Sequence, residues 1–505
     1  MNRCRLTVEN SVLYGLNLLL SSESADQEDR FSALPPELVH RILNSVSVAD
    51  AARVGCVSQR CRELHISNRF LNFPGGVEVM NSSDRVLAHR ESNKVRSFSV
   101  NWVADYRDEE RGLESRYGVD KSRFMGWIRT AVSFHVESLS VIYKPLMPRK
   151  DGREIEMDDT EFPYYVFVCE SLKSLIVDMH CAILTNPSFS ASSISNLVCL
   201  RLANVHVEYD KWFCNWISFS CIFLKELLLE NVSGLEIITI ESSSLESLGL
   251  EFTKDYAFSL RARSNYYHLR TNLLRVADRH PKSWPTESLH ISTPKLKHLK
   301  WVGKMMGDLY MGELNCLDEV EISVSHIYGV HDHFLSSIRS VKVLIVDPPT
   351  VETLFRKGFT PALFHNVRCL RIRTLHTGIY DELVPALASL FKEVPNLNTL
   401  DISCVDRCIS SGMGQFKFYR GYWELQSLDF IAQLKEVSLE LHTGFNDIGL
   451  AWYILEHAQN LKKMIIVCSP KLPHHLNFMT KLKRTRVLSN AIVVFEERRM
   501  DIYVS

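Results

Sequence analysis

Neither a glycine-rich phosphate loop of the GxxxxGK form nor a GxSxG nucleophile elbow occurs in the 505 residues. That removes the sequence marks of P-loop nucleotide binding and of α/β-hydrolase chemistry. No CxxC pair is present either. Cys56 with Cys61 and Cys404 with Cys408 come nearest, so neither a zinc knuckle nor a dithiol redox motif is spelled out. Charge of one sign is missing: 58 Lys and Arg against 59 Asp and Glu leave a formal charge of -1. No global field therefore draws the chain to nucleic acid or anionic lipid. No uninterrupted apolar run reaches the length of about eighteen residues that a transmembrane helix needs, and no membrane partner is expected. The 13 cysteines stand singly among apolar residues, as Cys169, Cys199, Cys369 and Cys404 do. That usage suits reduced, buried thiols in the cytosol or nucleus.

What the chain does have is a repeated apolar triplet: an apolar residue, two variable positions, a second apolar residue, one variable position and a third. It appears as Val95-Phe98-Val100, Val136-Leu139-Val141, Leu172-Leu175-Val177, Leu197-Leu200-Leu202 and Leu224-Leu227-Leu229. It continues as Leu235-Ile238-Ile240, Leu245-Leu248-Leu250, Leu296-Leu299-Trp301, Leu317-Val320-Ile322 and Val341-Leu344-Val346. It ends as Val367-Leu370-Ile372, Leu397-Leu400-Ile402, Leu434-Val437-Leu439 and Leu461-Met464-Ile466. The last two apolar positions alternate with variable ones, as a half-buried strand requires, and the first reaches the core from the preceding turn. No unit can bury its apolar edge alone, so neighbours must stack into one continuous core. The pattern resembles an irregular leucine-rich-repeat array. The three closely spaced units from Leu224 to Leu250 leave no room for helices and predict strand, turn and strand. Elsewhere helices fit between strands: Phe124, Trp127, Ile128 and Ala131 share one helical face, as do Leu383, Leu387, Leu390 and Phe391.

The stretch from Phe31 to Phe73 has a different period. Leu34 precedes a Pro-Pro pair that can open a helix carrying Leu38, Ile42 and Leu43, with Glu37, His40 and Arg41 opposite. Asp50 is placed to cap a second helix with Ala51, Val54 and Val57, and Ser58 to open a third carrying Leu64. Helices this short need tertiary burial, and a segment this small leans on a neighbour or a partner.

That stretch resembles the F-box, by which substrate receptors dock on the Skp-type adaptor of SCF (Skp–cullin–F-box) ubiquitin ligases. The matches are Leu34-Pro35, Glu37-Leu38, Ile42-Leu43, Asp50, Val57-Ser58, Arg60 and Leu64. Ser47 stands where the family has Pro, and Cys61 where it has Trp. The resemblance implies an adaptor-binding set of Leu34, Pro35, Glu37, Leu38, Ile42, Leu43, Val57, Arg60 and Leu64. It also implies a cullin and a RING subunit reached through the adaptor, and a cytoplasmic or nuclear site of action. The tail from Leu434 to about Val494 reads as strand, helix (Ile448, Trp452, Ile454, Leu455) and strand. It resembles the FBD domain appended to plant F-box/leucine-rich-repeat proteins. The expected fold class is α/β: an N-terminal three-helix F-box followed by an irregular leucine-rich-repeat solenoid. Residues 1–28 are expected to be a poorly ordered leader, 29–73 the F-box, 74–94 a linker, 95–430 the repeats and 431–500 the FBD-like part. Pro145 to Asp159 reads as a loop excursion, and Leu260 to Pro285 carries no readable period.

Polar clusters outside this frame are sparse. His326, His331 and His333 with Asp332 form a metal-like group, but they sit in a polar loop with no Cys or Glu to complete a set. His474-His475 reads the same way, and the basic run Lys481 to Arg486 reads as a solvated turn without interleaved aromatics, so nucleic acid is not expected as a partner. Cys61 invites comparison with thioester-carrying ligases, yet its place in the F-box favours a buried structural thiol. No catalytic residue, metal or cofactor is assigned. In a repeat array the variable strand positions form the binding surface. These are Glu226 and Glu230, Glu251, Lys300, Glu319 and Glu321, Arg371 and Arg373, Asp401, and Glu436 with Glu440. The target-binding set taken from them is Glu230, Glu251, Lys300, Glu321, Arg371, Arg373 and Asp401. Their alternating sign suits a protein or peptide of mixed charge. The expected function is that of a non-enzymatic substrate receptor of an SCF-type ligase. The alternatives are a scaffold acting outside ubiquitination and a small-molecule sensor of the plant hormone receptor type, for which Arg371 with Arg373 is the hint.

Overall fold

A computed structural model describes residues 34–46, 48–74, 84, 87, 95–105, 113–146, 149–150, 153–154, 160–186, 195–252, 288–303, 308–324, 332–355, 364–374, 379–381, 383–404, 420–441, 445–468 and 488–497. The expected leader, the unreadable stretch 260–285, His326, His331, His474, His475 and the basic run 481–486 lie outside the described residues. So do Cys408 and the side chains of Asp332 and His333. The described residues fall into two compact units that meet in sequence at Leu235 and Glu236.

The first unit opens with helices α1 (Pro36–Ser45), α2 (Val48–Gly55) and α3 (Gln59–Ile66). Pro35 caps α1 and Pro36 is its first residue, where a missing N–H costs nothing. Val39, Leu43 and Val46 recur at helical spacing and face inward with Ala51, Cys61 and Leu64. Ser58 caps α3, its hydroxyl accepting from the Cys61 N–H at 3.1 Å. Asp50 is not a cap. Because α2 begins at Val48, Asp50 sits in the first turn, where its carboxylate suits the helix dipole and pairs with Arg53 at 2.6 Å.

The sheet begins earlier than the triplets indicate. Strand β1 (Phe70–Pro74) pairs in parallel with β2 (Ser97–Asp105), Phe70 opposite Ser97 and Pro74 opposite Asn101. The end of the expected F-box and the start of the expected linker are thus the first rung of the sheet. Beyond it, Asp84 is held by Arg123 and by the Trp127 indole N–H (2.7 Å), so this part of the linker is tied to the array. Strands β3 (Ser138–Leu146), β4 (Ser174–Leu184), β5 (Cys199–Val207) and β6 (Glu226–Glu230) follow in order, all parallel. Their register stacks Leu71, Phe98, Leu139, Leu175, Leu200 and Leu227 in one inward row. The 21-residue helix α4 (Leu113–Ser133) covers this row between β2 and β3, burying Phe124, Trp127, Ile128 and Ala131. Rings pack at its centre: Phe73 on Phe98 at 5.2 Å, and Phe124 on Tyr143 at 4.7 Å. In the expected loop excursion, β3 runs on to Leu146, and Arg149–Lys150 pairs antiparallel with Arg153–Glu154.

The second unit holds two parallel sheets. One runs through β8 (Ser247–Glu251), β10 (His298–Gly303), β12 (Glu319–Val324), β13 (Val343–Val346), β14 (Cys369–Thr374), β15 (Thr399–Cys404), β16 (Glu436–Leu441), β17 (Lys463–Cys468) and β18 (Ile492–Glu497). The other contains β7 (Ile237–Glu241), β9 (Ser288–Ser292) and β11 (Asp308–Met311). The Leu235 triplet therefore does not belong to the same ladder as its neighbours. Strands β7, β9 and β11, which precede β8, β10 and β12 in sequence, connect to the main sheet and stack on one another. Farther on the connectors are helices, at Pro348–Phe355, Leu383–Glu393 and Phe445–His457. Side chains of all fourteen triplets are buried, none more than 3 % exposed. Strand β16 pairs with β15 from Thr399 opposite Glu436 onward, so the sheet runs through residue 430 without a break. Among the described residues no helix is long and apolar enough to cross a membrane.

Candidate functional site

The helices of the opening bundle sort the nine expected docking residues into two groups. Leu43 (2 % exposed) and Leu64 (7 %) lie inside the bundle's own core. Their work is to hold the helices together. Leu38 and Val57 point outward, 44 % and 52 % exposed, and Pro35, Glu37 and Arg60 are exposed beside them. Leu34 and Ile42 are half-buried, packed against the core from its rim. Leu38 does not take part in the bundle's core. The structure gives that place to Val39, one residue later, because Val39, Leu43 and Val46 share one helical stripe. The Arg60 guanidinium donates to the Leu34 carbonyl at 3.4 Å, tying α3 to the start of α1. Ile66, absent from the expected set, is also exposed. Its signal in the sequence was an apolar residue on a helix whose other apolar positions, Cys61 and Leu64, already filled the inward face. Cys61 is buried in the same apolar cluster as Val39, Leu43 and Leu64.

The expected target-binding residues lie on the outward face of the sheets, all half-buried. Glu230 belongs to the first unit, and the other six to the second. There the register places Lys300 opposite Glu321, and Arg371 opposite Asp401. The Lys300 ammonium lies 2.9 Å from Glu251 and 3.8 Å from Glu321. Arg371 reaches Glu319 at 3.8 Å, across strand β13, whose outward Val343 and Ile345 are apolar. Arg373 meets Asp401 at 3.4 Å and also donates to the Ser403 hydroxyl. Glu440 accepts from the Cys404 N–H at 2.8 Å. Burial raises the Glu321 carboxyl above its ordinary range, with Lys300 pulling the other way. The outward charges thus form a paired lattice instead of a stripe of one sign. Cys199 and Cys369, expected in the core, belong to this outward face: Cys199 lies opposite Glu226, and Cys369 opposite Thr399. Their thiols are half-buried, and burial pushes both upward in pKa.

Comparison with known proteins agrees with this geometry. Residues 31–70 match the F-box domain family. A putative F-box/FBD/LRR-repeat protein of Arabidopsis thaliana is 25 % identical over 492 residues, covering 87 % of this chain and 89 % of the relative. An F-box/LRR-repeat protein of the same plant is 22 % identical over 96 % of this chain and 99 % of its own length. A second putative F-box/FBD/LRR-repeat protein from Arabidopsis is 21 % identical, with coverages of 91 % and 98 %. The chain therefore carries an F-box domain near its N-terminus and resembles F-box/FBD/LRR-repeat proteins along most of its length.

Proposed function

We propose that this chain is the substrate-recognition subunit of an SCF-type ubiquitin ligase. In this reading the F-box docks on a Skp-type adaptor, which links it to cullin and RING subunits in the cytosol or nucleus. The repeat array holds the target protein, and the repeats from residue 431 are its FBD-like part. The observation that carries the reading is the exposure of Leu38, Val57 and Ile66 on a bundle whose Val39, Leu43, Val46, Ala51, Cys61 and Leu64 are sealed and whose Leu34, Ile42 and Val54 pack against that core. Large apolar side chains grouped on a small domain's surface mark a place where a partner sits. The chain makes and breaks no bond; it supplies effective concentration and orientation to a target lysine. The paired outward lattice suits a target of mixed charge, which can exchange partners with Arg371 and Arg373 without leaving a buried charge alone.

Pull-down of a Skp-type adaptor by the full chain and by a Leu34→Ala, Pro35→Ala variant tests the docking step. Binding is expected to be lost while the circular dichroism of the array is kept. Undiminished adaptor binding by that variant contradicts the proposal. Reconstitution with adaptor, cullin and RING subunits then separates a ligase receptor from a scaffold, since only the receptor supports ubiquitin transfer to a bound target.

A further inference from the structure

In the second unit, the residues that stand just before the main-sheet strands form a row along one edge of that sheet. Backbone bonds fix its order: the Glu246 carbonyl accepts the Lys297 N–H at 2.8 Å, and Asp318, Lys342 and Arg368 follow rung by rung. The row goes on as the Arg368 carbonyl accepts the Asn398 N–H, Asn398 that of Lys435 and Lys435 that of Lys462, each at 2.8 Å. Side chains at this position reach their neighbours, since Lys297 pairs with Glu246 at 2.7 Å and Lys342 with Asp318 at 2.6 Å. In that half of the row the signs alternate. Past Lys342 the alternation ends: Arg368, Asn398, Lys435 and Lys462 bring three cations and no carboxylate.

Those three charges are unmatched among the described residues. The Arg368 guanidinium donates to the His365 and Asn396 carbonyls at 3.2 and 3.1 Å, which hold the side chain without cancelling its charge. Lys435 and Lys462 are exposed and have no ion-pair partner among the described residues. They stand on adjacent rungs, ~4.8 Å apart along the sheet, where like charges repel. Of the carboxylates in the same stretch, Glu436 stands opposite Lys463 in register, Glu393 lies beside His365, and Asp429 makes no ion pair with Lys435. The edge is also firm. The Asn396 amide donates to the His365 carbonyl at 3.0 Å and the Asn460 amide to the Ala432 carbonyl at 2.7 Å, each tying one turn to the turn before it.

We propose that this edge docks an acidic segment of a partner protein, its Asp and Glu side chains meeting Arg368, Lys435 and Lys462. Four rungs set the outer cations ~14 Å apart. A run of carboxylates presents them ~7 Å apart along a strand or ~5–6 Å apart on one helical face, so three of them cover that length. Binding relieves the repulsion between Lys435 and Lys462, which nothing on the chain's own described surface offsets. The turns at residues 364–367, 394–397, 432–434 and 458–461 expose no Phe, Tyr or Trp on which a base could stack. They also bury their large apolar residues, leaving none to enter a bilayer. Arg368, Lys435 and Lys462 lie neither in the F-box nor on the outward sheet face, so the inference stands or falls apart from the adaptor reading.

The test titrates the full chain, by fluorescence anisotropy, into two short labelled peptides, one rich in Asp and Glu and the other with Asn and Gln in their place. The acidic peptide is expected to bind at least tenfold more tightly and to weaken as salt rises. Lys435→Glu with Lys462→Glu, confined to exposed side chains, lowers that affinity at least tenfold, whereas Lys435→Arg with Lys462→Arg keeps it. Lys211→Glu with Lys225→Glu makes the same change of net charge in the first unit and leaves the affinity as it was. Equal binding of both peptides, or equal losses in the two charge-reversed variants, overturns the proposal. An RNA oligonucleotide or an anionic phosphatidylserine vesicle that outcompetes the acidic peptide, and loses binding in the Lys435→Glu, Lys462→Glu chain, assigns the edge to that ligand and overturns it as well.

Discussion

Replacing Leu38 and Val57 with alanine should separate docking from folding. Complete burial of a Leu or Val side chain contributes ~1.5–3 kcal/mol relative to leaving it in water. Leu38 is 44 % exposed and Val57 52 % exposed, so about half of that is still available to a partner at each position. Two such losses come to about 2 kcal/mol, or ~30-fold in Kd. Stability should barely move, since surface changes of this kind stay within about 0.5 kcal/mol. Leu43→Ala is the opposite perturbation. At 2 % exposure it opens a cavity in the bundle core, costing ~2–5 kcal/mol of stability while leaving docking intact in the molecules that remain folded. Calorimetric titration with a Skp-type adaptor, beside urea unfolding of the same samples, measures both quantities. A Leu38→Ala, Val57→Ala chain that binds as tightly as the parent would refute the assignment of the outward face. So would a Leu43→Ala chain that unfolds at the parental midpoint.

Three further outcomes follow from the interior. Burial lifts the Asp347 carboxyl to about 7, with Glu352 adding to the rise, although the Thr350 N–H and hydroxyl bind its oxygen. Its unfolded value is near ~3.9, so the folded chain keeps a proton that the unfolded chain releases between about pH 4 and 7. Stability should therefore fall as pH rises through that window, by on the order of 2–4 kcal/mol. Asp347→Asn keeps the acceptor for Thr350 and should flatten the slope; urea midpoints at pH 5 and pH 7.5 that fall equally in parent and variant would exclude this. Gly234 has φ +82°, and a Cβ there would lie 2.0 Å from the Val207 carbonyl oxygen; Gly234→Ala should lower stability by about 2 kcal/mol or more, read from the denaturant midpoint. Asp447 accepts the Ile379 N–H at 2.8 Å inside the second unit. Asp447→Ala should cost ~1–3 kcal/mol and speed hydrogen exchange at that amide.

The triplets made most of the fold legible because burial of a strand's alternate residues is a local signal. Where a rung escaped notice, the anchor position had become polar. Asn68, Leu71 and Phe73 keep the triplet spacing in β1, and Asn490, Val493 and Phe495 keep it in β18. Asn68 is buried and satisfies itself on Phe70, donating to its carbonyl at 3.0 Å and accepting its N–H at 3.2 Å. A hydrophobicity pattern does not register such a residue. The second sheet was hidden for another reason: β7 has the same apolar spacing as its neighbours, and only the register shows that it pairs with β9. The outward lattice likewise required register. Sequence placed Lys300 and Glu321 on exposed strand positions, but their pairing depends on which residues stand side by side. In the opening bundle, neighbouring apolar residues Leu38 and Val39 fit an inward stripe about equally well, and tertiary packing chose Val39.

The join between bundle and sheet carries the mechanical side of the proposed function. A receptor raises the effective concentration of its target only if the target stays near the transfer site, and a long flexible link dilutes that effect. Here α3 gives way to β1 at Asn68, whose buried side chain fixes the turn on Phe70. His40 on α1 meets the Ser67 hydroxyl at 3.0 Å, closing the same corner from the other side. β1 is then hydrogen-bonded along its length to β2, and Phe73 carries its ring onto Phe98 and Trp127. Bending the bundle away from the first unit would expose Leu71 and Phe73 and strip a strand from the sheet, so the docking face and this sheet turn as one body. Orientation of whatever the first unit holds is then set when the adaptor binds.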